Sequence, residues 1–139
     1  NALLDHGRGR VSRAGGRSAE NPFVQLLCAE TAAAISEMRA TLHRNCASLM
    51  DYASRGEPPP LELRLQYKFE ASSVMERCTQ LGARIYKAAG SSGLSDELPF
   101  GRIFNDLMAA RQHISNQTEY YGANWGGVLF GLENKDFLL

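Results

Sequence analysis

Long apolar runs are what this 139-residue sequence most plainly lacks. None approaches the roughly 20 residues that a membrane-crossing helix needs. The opening "NALLDHGRGR" also has too short an apolar part for a secretory signal. Net charge is missing as well: fifteen Lys and Arg cancel fifteen Asp and Glu, so no overall field gathers nucleic acid or an anionic membrane. Neither is expected as a partner. Cysteine and histidine are scarce, three of each. Cys28, Cys46 and Cys78 are odd in number, well separated, and form no CxxC pair or zinc-spaced cluster. They read as buried, reduced thiols, which favours a cytoplasmic setting, and no metal site is expected.

What is present suits one globular domain. Hydrophobic residues make up 44% and charged residues 22%, a balance that argues against general disorder. Residues 1–21 hold Arg8, Arg10, Arg13 and Arg17 among four glycines. Such a segment has little apolar surface of its own and reads as a flexible arm or inter-domain connection. The chain begins at Asn1 without Met, as a fragment of a larger protein would. Residues 22–139 read as the helical domain.

Asn21 can cap and Pro22 suits a first helical turn. Val24, Leu27, Thr31, Ile35, Met38, Leu42, Leu49 and Ala53 then recur mostly at steps of three and four, which predicts a helix over about 22–54. Gly56 and three prolines in "SRGEPPP" end it. "LELRLQYKF" alternates like a strand. Yet Tyr67, Ala71, Val74, Cys78, Leu81, Ile85 and Ala88 continue at helical steps, and the chain offers no second strand to pair with. A second helix over about 60–89 is therefore expected. After "AGSSGLSDELP", Ser95 caps a third helix running to about Tyr121. "YGANWGG" is expected to interrupt it, leaving a short turn or extended tail. Three long helices with short breaks predict an all-α fold, an antiparallel helical bundle with a short C-terminal element.

Chemistry concentrates in "RIFNDLMAARQHISNQ", residues 102–117. Beside the apolar stripe of Ile103, Phe104, Leu107, Met108 and Ile114, a single helix would place Arg102, Asp106, His113 and Gln117 within about one sixth of its circumference. Asp106 and His113 would then stand on the order of 10 Å apart, too far for a direct hydrogen bond but able to face one ligand. Spacing alone leaves two readings open: ordinary boundary polar groups, or a line facing a pocket in which His113 serves as a base. "GSSG" at 90–93 offers amides and hydroxyls for an anion, although a helix-ending turn explains it equally well. "HGRGRVSRAGGR" lacks the interleaved aromatics of an RNA-binding segment.

The order of these pieces resembles the C-terminal helical domain of the acyl-CoA dehydrogenase superfamily. More narrowly, Ala88 to Gln117 resembles its flavin-dependent monooxygenase branch, the oxygenase components of two-component aromatic and steroid hydroxylases. The helix order is similar over about residues 22–121. The resemblance implies reduced FMN or FAD delivered by a separate flavin reductase, with O2 and an aromatic or related small-molecule substrate. It gives His113 the catalytic place beside flavin and substrate, and it gives Ser91 and Ser92 a flavin contact. It also likens Arg55 to a position meeting flavin phosphate across a subunit interface of a homo-oligomer, usually a tetramer. The branch carries an N-terminal helical domain and a central β-domain besides, so this chain alone is not expected to be a competent enzyme. The glutamate base of true acyl-CoA dehydrogenases is not found by motif and His113 occupies the informative position instead, which speaks against dehydrogenation and leaves it only as an alternative. A stand-alone helical assembly or binding module is another.

Overall fold

The computed structural model describes residues 2–11, 16–95 and 97–137. Five α-helices supply nearly all regular structure: α1 Ala2–Gly9, α2 Pro22–Ser54, α3 Leu61–Ala89, α4 Phe100–Arg111 and α5 Thr118–Leu129. Among the described residues no strand forms, apart from one Val11–Arg17 bridge.

The helix ends follow from local chemistry. The Asn21 side chain accepts from the Phe23 amide at 2.9 Å, and Pro22 occupies the first helical position where no amide is needed. α2 closes with Gly56 at φ +67°, where the Glu57 amide reaches back to the Tyr52 carbonyl and the Gly56 amide to Ala53. That paired closure needs a left-handed residue, which glycine adopts without a Cβ penalty. Gly131, at φ +82°, closes α5 the same way, with Leu132 reaching Gly127 and Gly131 reaching Val128.

The chain divides into two compact units, Asn1–Ser36 with Cys78–Ala109, and Glu37–Arg77 with Ala110–Leu139. In the first, α1, the start of α2, the end of α3 and α4 enclose Leu27, Ala89 and Phe100. Tyr86 and Phe104 stack with centroids 5.3 Å apart, and Phe100 meets the edge of His6. Residues 2–9, read in the sequence as part of an arm, are thus helical and in contact with α4. Each buried aliphatic or aromatic side chain contributes about 1.5–3 kcal/mol.

In the second unit, the end of α2, the start of α3, α5 and the tail bury Met38, Leu65, Ser72 and Tyr121. Glu37 pairs with Arg77 and Arg44 with Glu70. Seven residues forward on α2 match seven backward on α3, the register of an antiparallel pair. In the first unit Glu30 meets Arg84 on the same step.

Three expectations need correction. The third helix does not run on to Tyr121: it stops at Arg111, and a short 3-10 turn at Ile114–Asn116 separates it from α5. "YGANWGG" does not interrupt a helix but lies inside α5. The Asn124 side chain there donates to Asn134 and accepts from the Lys135 amide, tethers that outweigh the roughly 1 kcal/mol each helical glycine costs. On α3 the most buried positions are Leu65, Ser72, Thr79 and Ala89. The cysteines are not buried: Cys46 is exposed and Cys28 and Cys78 are half-buried.

Candidate functional site

His113 sits where α4 gives way. Its backbone is extended (φ −64°, ψ 141°), and its Nδ1 accepts from the Ser115 amide at 3.2 Å. Ile, Ser and Asn follow it, residues that are β-branched or hydrogen-bond their own backbone and so favour a turn over continued helix. An Nδ1 that accepts carries no proton, so the neutral imidazole is protonated at Nε2. The exposed ring therefore offers a ligand an N–H donor at Nε2.

The turn is held from several sides. Asn116 Nδ2 donates to the Ala110 carbonyl at 2.7 Å, and the Tyr121 hydroxyl donates to the Ile114 carbonyl at 2.9 Å. Thr118 Oγ1 donates to Ser72's carbonyl at 3.0 Å, and Arg111 pairs with Glu76 and, at 3.7 Å, with Glu119. On α3 of the same unit, Glu70 accepts from Gln66, Asn45 and Arg44. Burial alone would raise the Glu70 carboxyl, but the Gln66 and Asn45 hydrogen bonds and the Arg44 charge outweigh it, leaving the pKa below the ordinary carboxylate value.

The break overturns the aligned polar line. His113 and Gln117 belong to the second unit, while Arg102 and Asp106 lie on α4 in the first. There they border a polar hollow with Ser95, Asn105 and Tyr86. Arg55 is in the second unit, 49% exposed, 3.0 Å from Glu57, its guanidinium 4.7 Å from the centre of the Tyr52 ring. No hydrogen bond or ion pair joins it to His113 among the described residues.

Ser91 and Ser92 occupy the 3-10 turn Gly90–Leu94 in the first unit. Ser91 is exposed; the Ser92 side chain lies outside the described residues. The sequence reading missed Arg10 here. Its Nη1 donates to the Ala89 carbonyl, and a Cβ on Gly90 (φ +64°) would fall 2.8 Å from its Nη2. Glycine thus lets a guanidinium lie directly on the turn. Its only trace in the sequence was the arginine-rich start, and nothing in the spacing paired residue 10 with residue 90.

The first unit also holds an apolar cavity of about 380 Å³, lined by Leu3, Cys28, Ile35, Cys78, Leu81 and Phe104 among others. The Thr31 hydroxyl borders it, buried and without a hydrogen-bond partner among the described residues. Among the described residues no three His, Cys, Asp or Glu side chains gather to hold a metal ion. No described helix is long and apolar enough to cross a membrane.

Against known proteins, residues 1–118 match the family described as acyl-CoA dehydrogenase, C-terminal domain. The chain is 28% identical over 132 residues to the flavin-dependent monooxygenase oxygenase subunit HsaA of Mycobacterium tuberculosis, covering 95% of this chain and 34% of that protein. It is 32% identical over 144 residues to the oxygenase component of the FADH2-dependent resorcinol hydroxylase of Rhizobium sp., covering 96% and 35% respectively. The crystal structure of 3-HSA hydroxylase from Rhodococcus sp. RHA1 superposes with TM-score 0.88 at 26% identity, over 99% of this chain and 36% of that one. The chain spans about a third of the length of the curated relatives it matches.

Proposed function

Because the chain belongs to the acyl-CoA dehydrogenase C-terminal domain family, and has its all-α fold, we propose that it is the C-terminal domain of a flavin-dependent monooxygenase oxygenase component. The complete protein hydroxylates an aromatic or related small molecule with reduced flavin and O2. Support comes from relatives of that activity at 28% and 32% identity over almost the whole chain. The observation that carries the site is His113, held on a tethered turn with its Nδ1 occupied.

The residues present suit a flavin. Ser91 on its exposed turn, with the Arg10 guanidinium against Gly90, forms a seat for an anionic group such as a flavin phosphate. Arg55 is spent on an exposed pair with Glu57, worth about 0–1 kcal/mol, and can exchange that partner for a phosphate. Ser91 and Ser92 would contact one flavin together with parts of the protein beyond this chain, and Arg55, as the family resemblance has it, would meet flavin phosphate across a subunit interface. Bound reduced flavin supplies the activation of O2. His113 would offer its Nε2 proton to an oxygen atom of a bound ligand and orient it, a hydrogen bond of the kind that strengthens as negative charge develops.

Either FMN or FAD fits this reading, and the FADH2 dependence in the Rhizobium relative's name favours FAD. The words "oxygenase component" in that name favour a separate flavin reductase as partner. A homo-oligomer, a tetramer in the family pattern, and a cytoplasmic setting in keeping with three cysteines outside any disulfide complete the proposal.

The test uses the full-length protein. Reduced flavin is added anaerobically and oxygen admitted: flavin oxidation slower than that of free flavin is expected, with hydroxylation when an aromatic substrate is present. Oxidation at the free-flavin rate would refute the monooxygenase reading. Thioester-dependent flavin reduction would replace it with acyl-CoA dehydrogenation. His113→Ala should keep the fold and the affinity for reduced flavin while losing most hydroxylation. Undiminished turnover would remove His113 from the site.

A further inference from the structure

The His113 turn is tethered from several sides, and one of its tethers comes from a side chain with its own dedicated support. Tyr121 is 4% exposed, and its hydroxyl donates to the Ile114 carbonyl, the residue directly after His113. Over its ring lies the Lys68 ammonium, 4.6 Å from the centroid. Lys68 in turn pairs at 2.6 Å with Asp136, whose side chain is 1% exposed. The tail that delivers Asp136 is locked: Asn124 donates to Asn134, the Lys135 and Asp136 amides donate to Asn124 and Asn134, and Tyr120 donates to the Lys135 carbonyl. The whole assembly fixes one phenol in one place.

We propose that Tyr121 is a positioning residue for His113, acting through the Ile114 carbonyl and backed by the Lys68–Asp136 pair. A 3-10 turn has poor hydrogen-bond geometry and few internal bonds, so by itself it does not hold an imidazole to the tolerance catalysis requires. The Ile114 carbonyl accepts from the Gln117 amide at 3.4 Å, a long bond. The phenol supplies the short one. The cation over the ring draws electron density from it and strengthens the hydroxyl as a donor. With Ile114 pinned, the Ser115 amide stays on His113 Nδ1, which keeps the Nε2 proton available to a ligand. Tyr121 touches neither flavin nor substrate in this scheme.

The inference rests on the catalytic reading of His113, and the experiment separates the two. In the full-length protein, Tyr121→Phe, His113→Ala and the double variant are compared for kcat, KM and product formed per flavin oxidised. Thermal melting shows that each is folded. Tyr121→Phe should lower product yield and kcat about fivefold, the worth of one hydrogen bond, with KM and reduced-flavin affinity unchanged. In the His113→Ala background the same substitution should change nothing further. An equal fivefold loss in that background, or no loss in the wild type, would overturn the positioning role while leaving His113 in place. Full activity of His113→Ala would overturn both. If Tyr121→Phe does not fold, Asn116→Ala, which removes the tether to the Ala110 carbonyl, is put through the same cycle. Loss confined to the His113 background supports control of the turn, and additive loss refutes it.

Discussion

At the scale of the residue, two side chains show how far identity differs from placement. His113 was a candidate mainly through the family resemblance, since its place at the margin of an apolar stripe left a structural boundary histidine equally open. The geometry that put it in line with Arg102 and Asp106 was read from a helix that does not exist there. What the structure supplies instead is a turn in which Ser115 occupies Nδ1 and so selects the tautomer. Glu70 is the opposite case: an unremarkable glutamate in the sequence, yet the meeting point of Gln66, Asn45 and Arg44. Its side chain is only 21% exposed, and its folded pKa lies below the ordinary value. The sign follows from linkage. A depressed folded pKa contributes stability above the unfolded pKa, and that contribution is lost as pH falls through the folded value. Thermal unfolding of Glu70→Gln should therefore show a shallower loss of melting temperature below about pH 4.5 than the unaltered chain shows. An identical pH slope would mean that the carboxylate adds nothing.

At the scale of the element, the long helices were readable because each carries its own punctuation. Asn21–Pro22 opens α2, and Gly56 with the prolines after it closes it. The strand-like start of α3 resolved as a helix because a lone strand has no partner for its amides. The break at His113 and the continuation through "YGANWGG" were read the wrong way round. Glycines mark a break only where nothing else holds the chain. Here Gly122 faces Phe69, where a Cβ would fall 2.8 Å from Cε2, and Phe69 packs on Trp125 with centroids 5.6 Å apart. The glycine is a contact surface rather than a hinge. Gly122→Ala should gain up to about 1 kcal/mol of helix propensity and lose about 1–3 kcal/mol by pushing α5 off an aromatic ring. The expected net effect is destabilisation, read by denaturant unfolding. A stabilised variant would show that Phe69 yields freely.

At the scale of the whole molecule, the apolar surface is incompletely covered. Phe130 is 88% exposed, and Phe23, Leu26 and Met50 are exposed as well. Single exposed hydrophobics are ordinary, but Leu129, Phe130 and Leu132, all exposed within four residues at the end of α5, make a local apolar surface of the kind that marks association. The isolated 139-residue chain should therefore self-associate or bind a fluorescent apolar dye. Light scattering that gives the mass of a single chain, with no dye bound, would contradict this. The same surface agrees with a domain that contributes one wall to a larger protein, the role proposed for it, since one wall cannot keep water from a reactive flavin.

The sequence by itself determined the all-α class and the positions of the two long helices and their caps, because periodicity and caps are local properties written in neighbouring residues, and its motif order carried the resemblance to the family. Only the tertiary structure decided that the third helix breaks at His113, that α5 runs through its glycines, that Arg10 lies on the Gly90 turn, and that Tyr121 reaches Ile114. Each of these depends on what stands opposite a residue. Local propensity differs by about 1 kcal/mol or less between the competing states of such segments, and partners distant in the chain, Ala89 with Arg10 or Asp136 with Lys68, decide the outcome.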